Sequence, residues 1–254
     1  MVTNFVFSSV GDNTNFDTLW VDDNNNKNNS VSNYHVFVIY YGDNDEVFNR
    51  YKSRVHFIEQ RKGSKFQNFK YFYDKYPEII EKYERFFILD DDIIFDVNDI
   101  NKMFDISTLY NLQICGPSFT NESKISHNIT RHKKGVLLTY TNFVEVNVPL
   151  FTKHALNQFM GLLDSSLIGW GIDVFYMWRN GLHKKNAYAI VHGVTCTNPP
   201  DVEKTGKKRE LELISGCQSR RDIWKTFALH HGCPCWYMIK EYKNIVIIKY
   251  PQLD

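Results

Sequence analysis

Asp90, Asp91 and Asp92 are consecutive and directly follow the apolar run Phe86-Phe87-Ile88-Leu89. Adjacent carboxylates repel one another and resist leaving water, so a cation is their ordinary relief. Hard oxygen ligands suit Mg²⁺ or Mn²⁺, which keep coordination positions open for substrate phosphates. Asp is also common at solvated strand ends and helix caps, but one residue serves those roles. Three acids behind such a run point instead to metal or phosphate chemistry. Further along, Gly169-Trp170-Gly171-Ile172-Asp173 combines two glycines that permit close approach, an aromatic stacking face and an acid at a helix start. A helix N-terminus lowers a carboxylate's pKa, which works against its use as a base. The alternative is a capping Asp beside a core Trp. His192-Gly193 closes the apolar run from Ala187 to Val191, as a metal ligand or as a structural histidine. Lys65, with the amides of a helix start, suits a phosphate. The basic loop around Arg131 reads either as a lid over a diphosphate or as a solvated surface.

Positioning these groups requires strands that end where the polar residues begin. Asn4–Val10 reads as a first strand running into the turn Gly11-Asp12-Asn13. Tyr34–Tyr41 is a buried parallel strand stopped by Gly42-Asp43-Asn44, and residues 55–58 form a short third strand. Phe66, Phe69, Phe72, Tyr73 and Tyr76 fall at helical spacing until Pro77 interrupts them. The triple-Asp strand follows, and then a helix from Asn98-Asp99 to near Tyr110. This alternation predicts a mostly parallel sheet flanked by helices, with ligands at the carboxyl ends of its strands. The second half is less regular. Residues 22–30 and 116–135 read as polar loops, and Lys204–Arg209 as an exposed basic stretch. Strands are expected at Phe143–Phe151, Ala187–Val191 and Ile245–Tyr250. Helices are expected at Thr152–Leu163, from Gly169 to Trp178, and at Ile223–His230.

The 254 residues suffice for one large α/β domain. A net charge of +1 argues against nucleic acid as a partner, and no apolar run approaches the ~20 residues of a membrane span. Five scattered cysteines and no secretory pattern suggest a reducing, cytoplasmic setting. The aromatic content, 15%, fits either an aromatic core or an aromatic cleft.

Asp-x-Asp after an apolar strand also occurs in haloacid-dehalogenase-type phosphatases, but there it lies near the N-terminus with a later acidic pair. The sequence more closely resembles the GT-A glycosyltransferases, whose Asp-x-Asp motif Ile88-Leu89-Asp90-Asp91-Asp92 matches. The resemblance implies a Rossmann-like GT-A sheet and an Mn²⁺ or Mg²⁺ ion on Asp92 and Asp90, with His192 as a second kind of ligand. Donor contacts are implied at Ser8, Ser9, Asp12, Asn13, Lys65, Gln67, Asp90, Asp91 and Arg131. Trp170-Gly171 is expected to meet the acceptor, and Asp173 resembles the inverting general base. The implied reaction transfers a hexosyl or pentosyl group from a nucleotide sugar, UDP-linked, to a glycan or other hydroxyl acceptor. Retaining transfer and non-catalytic nucleotide-sugar or glycan binding are the rivals. Residues 85–200 also resemble glycosyltransferases of large algal viruses and a plant family of unknown function, with the host cytoplasm as the setting if viral. The expected layout is a GT-A domain over 1–200, with a nucleotide-sugar half at 1–115 and an acceptor and catalytic half at 116–200. Residues 201–254 are then a C-terminal extension packed on the same domain.

Overall fold

Alternate side chains of the triple-Asp strand enter two different cores, and this fixes the layering of the molecule. The computed structural model describes residues 2–21, 31–200 and 214–247. In β4 (Arg85–Asp90), Phe86 and Ile88 join one apolar cluster, while Phe87 and Leu89 join the other. β1 (Asn4–Val10) divides in the same way, Phe5 and Phe7 on one face and Val6 and Val10 on the opposite one. A strand buried on both faces belongs at the centre of a helix-covered sheet. β2 (Tyr34–Tyr40) and β3 (Phe57–Gln60) extend that sheet in parallel. The helix α1 (Asp45–Lys52) lies between β2 and β3, α2 (Lys65–Lys75) and α3 (Pro77–Ile80) lie between β3 and β4, and α4 (Val97–Leu109) follows β4. Pro77 starts α3, where its missing N–H costs nothing. The aromatic residues mostly fill the interior: Phe5 stacks on Phe37 at 4.2 Å and meets Phe72 and Phe86 at 5.7 and 5.2 Å.

The remaining strands are β5 (Ile114–Phe119), β6 (Val136–Thr141), β7 (Leu150–Thr152), β8 (Tyr188–Cys196) and β9 (Glu241–Val246). The sheet order is β3-β2-β1-β4-β7-β5-β8-β6-β9. Four of the eight pairings are parallel and four antiparallel, so the sheet is mixed, not mostly parallel. The parallel block is the first half of the chain, where the strand–helix alternation is regular; β7, β6 and β9 supply the antiparallel pairs.

Four expected elements differ in detail. The last strand, expected at Ile245–Tyr250, is β9 at Glu241–Val246. Residues 116–119 continue β5, so the polar loop begins at Thr120. Residues 143–149 are not a strand. Lys65 Nζ binds the carbonyls of Val146 and Asn147, and Tyr176 binds that of Val144. Pro149 has no N–H to add to a ladder. β8 does not stop at His192. It bulges there and continues to Cys196, because the register opposite β5 jumps between Pro117 and Ser118. The polar segment 22–30, the basic stretch 204–209 and positions 248–250 lie outside the described residues.

α5 (Lys153–Met160) is capped by Thr152, whose hydroxyl accepts from the Ala155 amide at 3.2 Å. α6 (Ile172–Asn180) packs beside it. α7 (Arg220–His230) joins the first core through Trp224, Phe227 and Ala228, and β9 closes the sheet edge beside β6. Among the described residues, no helix is long and apolar enough to cross a membrane.

Candidate active site

β1 and β4 run parallel with Ser9 opposite Asp90, so the turn after β1 lies against the turn after β4. Residues 11–15 are stitched to the acids. The Gly11 amide and the Tyr41 hydroxyl donate to Asp91 Oδ2 at 3.0 and 2.8 Å. Asn15 N and Thr14 Oγ1 both donate to the Asp91 carbonyl at 2.9 Å, and Asn15 Nδ2 donates to the Asp92 carbonyl at 2.8 Å. Burial, then the Asp92 carboxylate, push Asp91 up to about 7 against these donors. Asp91 thus ties one turn to another. Asp90 is held by Lys65 at 2.7 Å, and Asp92 stands half-buried at the head of the turn.

Several expected donor contacts have local partners. Ser8 Oγ donates to the Leu89 carbonyl at 2.8 Å, and Ser9 Oγ accepts from Asn68 Nδ2 at 2.6 Å. Asp12 accepts from the Tyr40 hydroxyl, while Asp12 and Asn13 are exposed at the rim. Gln67 accepts from the Ser64 amide at 2.9 Å, capping α2, and donates to the Ser165 carbonyl at 2.7 Å. Lys65 was expected to meet a diphosphate. Its ammonium instead bridges Asp90 to the carbonyls of Val146 (2.7 Å) and Asn147 (2.9 Å), a strut between β4 and the 143–149 segment. Arg131 is exposed and bridges to Phe119 through the backbone.

His192 takes a different place from the one the sequence suggested. It is 2% exposed within β8. The Lys133 amide donates to Nδ1 at 3.3 Å, which leaves Nε2–H to donate to Thr139 Oγ1 at 3.0 Å. Thr139 in turn donates to Asn244 at 2.7 Å, so the ring links β8 to β6 and β9. Burial first, then the charges of Lys133 and His132, push its pKa down to about 4. Among the described residues, no three His, Cys, Asp or Glu side chains gather in positions to hold a metal ion, so His192 is not brought to Asp90 and Asp92.

Asp173 lies in the first turn of α6. Gly171 caps that helix at φ 78°, a left-handed conformation that glycine adopts without strain. A Cβ on Gly171 would lie 2.1–2.5 Å from the Trp224 ring, so glycine is required here twice over. The Asp173 carboxylate accepts from the Val174 amide at 2.9 Å. Burial nevertheless outweighs the helix-start amides and pushes Asp173 up to about 6, which removes the objection that a helix start makes a poor base. Trp170 is 42% exposed, with the Arg221 guanidinium 4.3 Å above its ring.

Glu145 escaped the sequence reading. Its signal was a lone charge inside the apolar run Phe143–Phe151, which looked like a strand. It is 5% exposed and hydrogen-bonds Ser126, yet its Oε2 has no partner. Leaving such an oxygen buried costs about 1–3 kcal/mol, so it is not retained for stability. Burial first, then the Asp173 carboxylate, push Glu145 up to about 8; Asp90 adds to this and Lys65 opposes it. The acidic strand end and Asp173 therefore both act on one buried carboxyl. Two carboxyls whose environments separate their pKa values divide into an ionised base and a neutral donor.

Comparisons with known proteins bear on the fold. A family model described as "Protein of unknown function (DUF707)" matches residues 16–140. No curated protein matches the chain. Among solved structures, S. aureus TarS 1-349 in complex with UDP-GlcNAc superposes with TM-score 0.56 at 8% identity, over 90% of this chain and 66% of that one. S. aureus TarS itself gives 0.54 at 8% identity, over 90% and 39%. GalNAc-T7 with UDP, GalNAc and Mn²⁺ gives 0.46 at 10% identity, over 91% and 55%. The chain spans less than two thirds of the length of these structures. The likeness to TarS shows that this chain shares its fold.

Proposed function

We propose that the protein is a metal-dependent glycosyltransferase that moves a sugar from a UDP-sugar to a hydroxyl of a glycan or similar acceptor, with inversion. The observation that supports this reading is that Asp173, itself raised to about 6, and the Lys65–Asp90 pair at the acidic strand end act on one buried carboxyl, Glu145. A fold like that of TarS, solved with UDP-GlcNAc and with UDP, supports the donor class. In this reading residues 1–115 hold the nucleotide sugar and 116–200 the acceptor, with 201–254 an extension of the same domain in a cytoplasmic protein.

Asp92, assisted by Asp90, would hold Mg²⁺ or Mn²⁺ together with the donor's phosphates, since such ions take one or two carboxylates and complete their shell with substrate and water. The ion supplies charge neutralisation at the diphosphate. Asp91 keeps the turn in shape, and Lys65 fixes the Asp90 carboxylate. Asp173 takes the proton from the acceptor hydroxyl as its oxygen attacks the anomeric carbon. The bond to the diphosphate oxygen breaks on the opposite side.

Thermal shift with UDP and UDP-sugars, with and without Mn²⁺, tests the binding half, since a ligand at 100 times its Kd stabilises by about 2.7 kcal/mol. Asp92→Asn is expected to lose the Mn²⁺-dependent part of the shift, and an unchanged shift would sink the metal assignment. Anomeric NMR of the product checks inversion, and a retained configuration would remove Asp173 as base. The rival reading is a nucleotide-sugar- or glycan-binding module without turnover. Calorimetric UDP binding with no transfer to any acceptor would select it.

A further inference from the structure

Glu145 is built like a ligand contact. The carbonyls on either side of it are pinned, Val144 by the Tyr176 hydroxyl at 2.6 Å and Val146 by the Lys65 ammonium at 2.7 Å. Its backbone therefore cannot drift to find a partner for the unpaired Oε2. It lies within electrostatic reach of Asp173, Asp90 and Lys65, and the pins on its neighbours come from α6, which carries Asp173, and from the Lys65–Asp90 pair. If Asp173 meets the acceptor hydroxyl and Asp90 borders the diphosphate, the group between those two points is the transferred sugar. On the solvent side, Glu145 is met by Ser126, an exposed residue of the 120–135 loop.

We infer that Glu145 reads the transferred sugar: its unpaired Oε2 forms a hydrogen bond with a ring substituent of the donor, in a place that Ser126 covers in the free protein. The inference rests on the glycosyl-transfer reading and adds to it the contact that discriminates among sugars. A carboxyl in its neutral form offers both a donor and an acceptor, so it matches a hydroxyl or an acetamido group. Sites that hydrogen-bond a substrate group reject analogues lacking it more strongly than apolar pockets do. Ser126 then competes with the sugar for Glu145, and the two residues should have opposite effects on binding.

The test is calorimetry on the full chain with Mn²⁺, using UDP, UDP-GlcNAc, UDP-glucose and UDP-galactose. With whichever sugar donor binds wild type best, Glu145→Ala is expected to weaken binding about tenfold while UDP alone binds as before. Glu145→Gln keeps a donor and an acceptor and should stay within about threefold of wild type. Ser126→Ala should leave UDP unchanged and tighten the UDP-sugar several-fold. If Glu145→Ala does not fold, Glu145→Leu fills the space without polar atoms and gives the same comparison. Equal losses for UDP and UDP-sugar, or no loss, would overturn the assignment of Glu145 while leaving the glycosyltransferase reading intact. So would a Ser126→Ala variant that weakens the sugar donor. A wild-type protein that binds no UDP-sugar would overturn both.

Discussion

Among single residues, the carboxylates divide by what surrounds them rather than by their place in a motif. Asp91 sits at the centre of the motif and is a tie, held by Gly11 and Tyr41. Asp173 was legible from two glycines and a helix start, but the burial that tunes it was not. Glu145 was illegible, because in sequence it is one charge in an apolar run, and its neighbours Ser126, Asp173 and Lys65 are distant in the chain. Lys65 and His192 show the reverse: each has the right residue type at a plausible place, and each is engaged by partners from other elements. Asp173 must be ionised to act as base. Its pKa of about 6 therefore predicts that transfer falls as pH drops below that value and levels off above it. Asp173→Asn should keep UDP-sugar affinity and lower kcat by about 10²–10⁴-fold. A pH–rate profile for wild type and single-turnover rates for the variant check both, and unchanged turnover would dismiss the base.

At the level of elements, the sequence was most readable where one strand is followed by one helix. β1, β2, β4, α2 and α4 lie where periodicity places them, since each buries its own apolar pattern. Reading failed where side chains from elsewhere take the backbone's hydrogen bonds. The 143–149 segment is apolar enough for a strand and gives the Asn147 and Pro149 carbonyls to β4 amides, but Lys65 and Tyr176 hold the Val146 and Val144 carbonyls and Pro149 has no amide to return. The β8 bulge likewise shows only in its pairing with the neighbouring strand, where the register shifts between Pro117 and Ser118. The start of α6 is the element on which the proposed chemistry depends most. Gly171→Ala would force a Cβ onto the Trp224 ring and strain a backbone at φ 78°. The backbone strain alone is worth about 1–3 kcal/mol. Loss of at least that much stability in urea melts, with a larger loss of transfer than of UDP binding, is the expected result. A variant as stable and active as wild type would show that the α6 start tolerates displacement.

Across the whole molecule, the raised carboxyls couple the proposed site to stability. Glu145 titrates at about 8 in the fold against an ordinary 4.5, and Asp91 at about 7 against 3.8. Between the ordinary and the raised values, the folded protein holds protons that the unfolded chain has released. Stability therefore falls as pH rises through that window and is flat above the folded value. His192 acts in the opposite sense, but only between its folded value of about 4 and its ordinary 6.5. The clean interval is thus pH 6.5 to 8, where Glu145 and Asp91 dominate among the shifted carboxyls and His192 no longer contributes. The limiting slope is about 1.4 kcal/mol per pH unit for each group. Urea melts across this interval should show wild type losing stability and Glu145→Gln losing less, since the amide has no proton to release. Parallel slopes for wild type and Glu145→Gln would mean that Glu145 is ionised in the fold. The free Oε2 would then be a buried charge, and the division into ionised base and neutral donor would have to be abandoned.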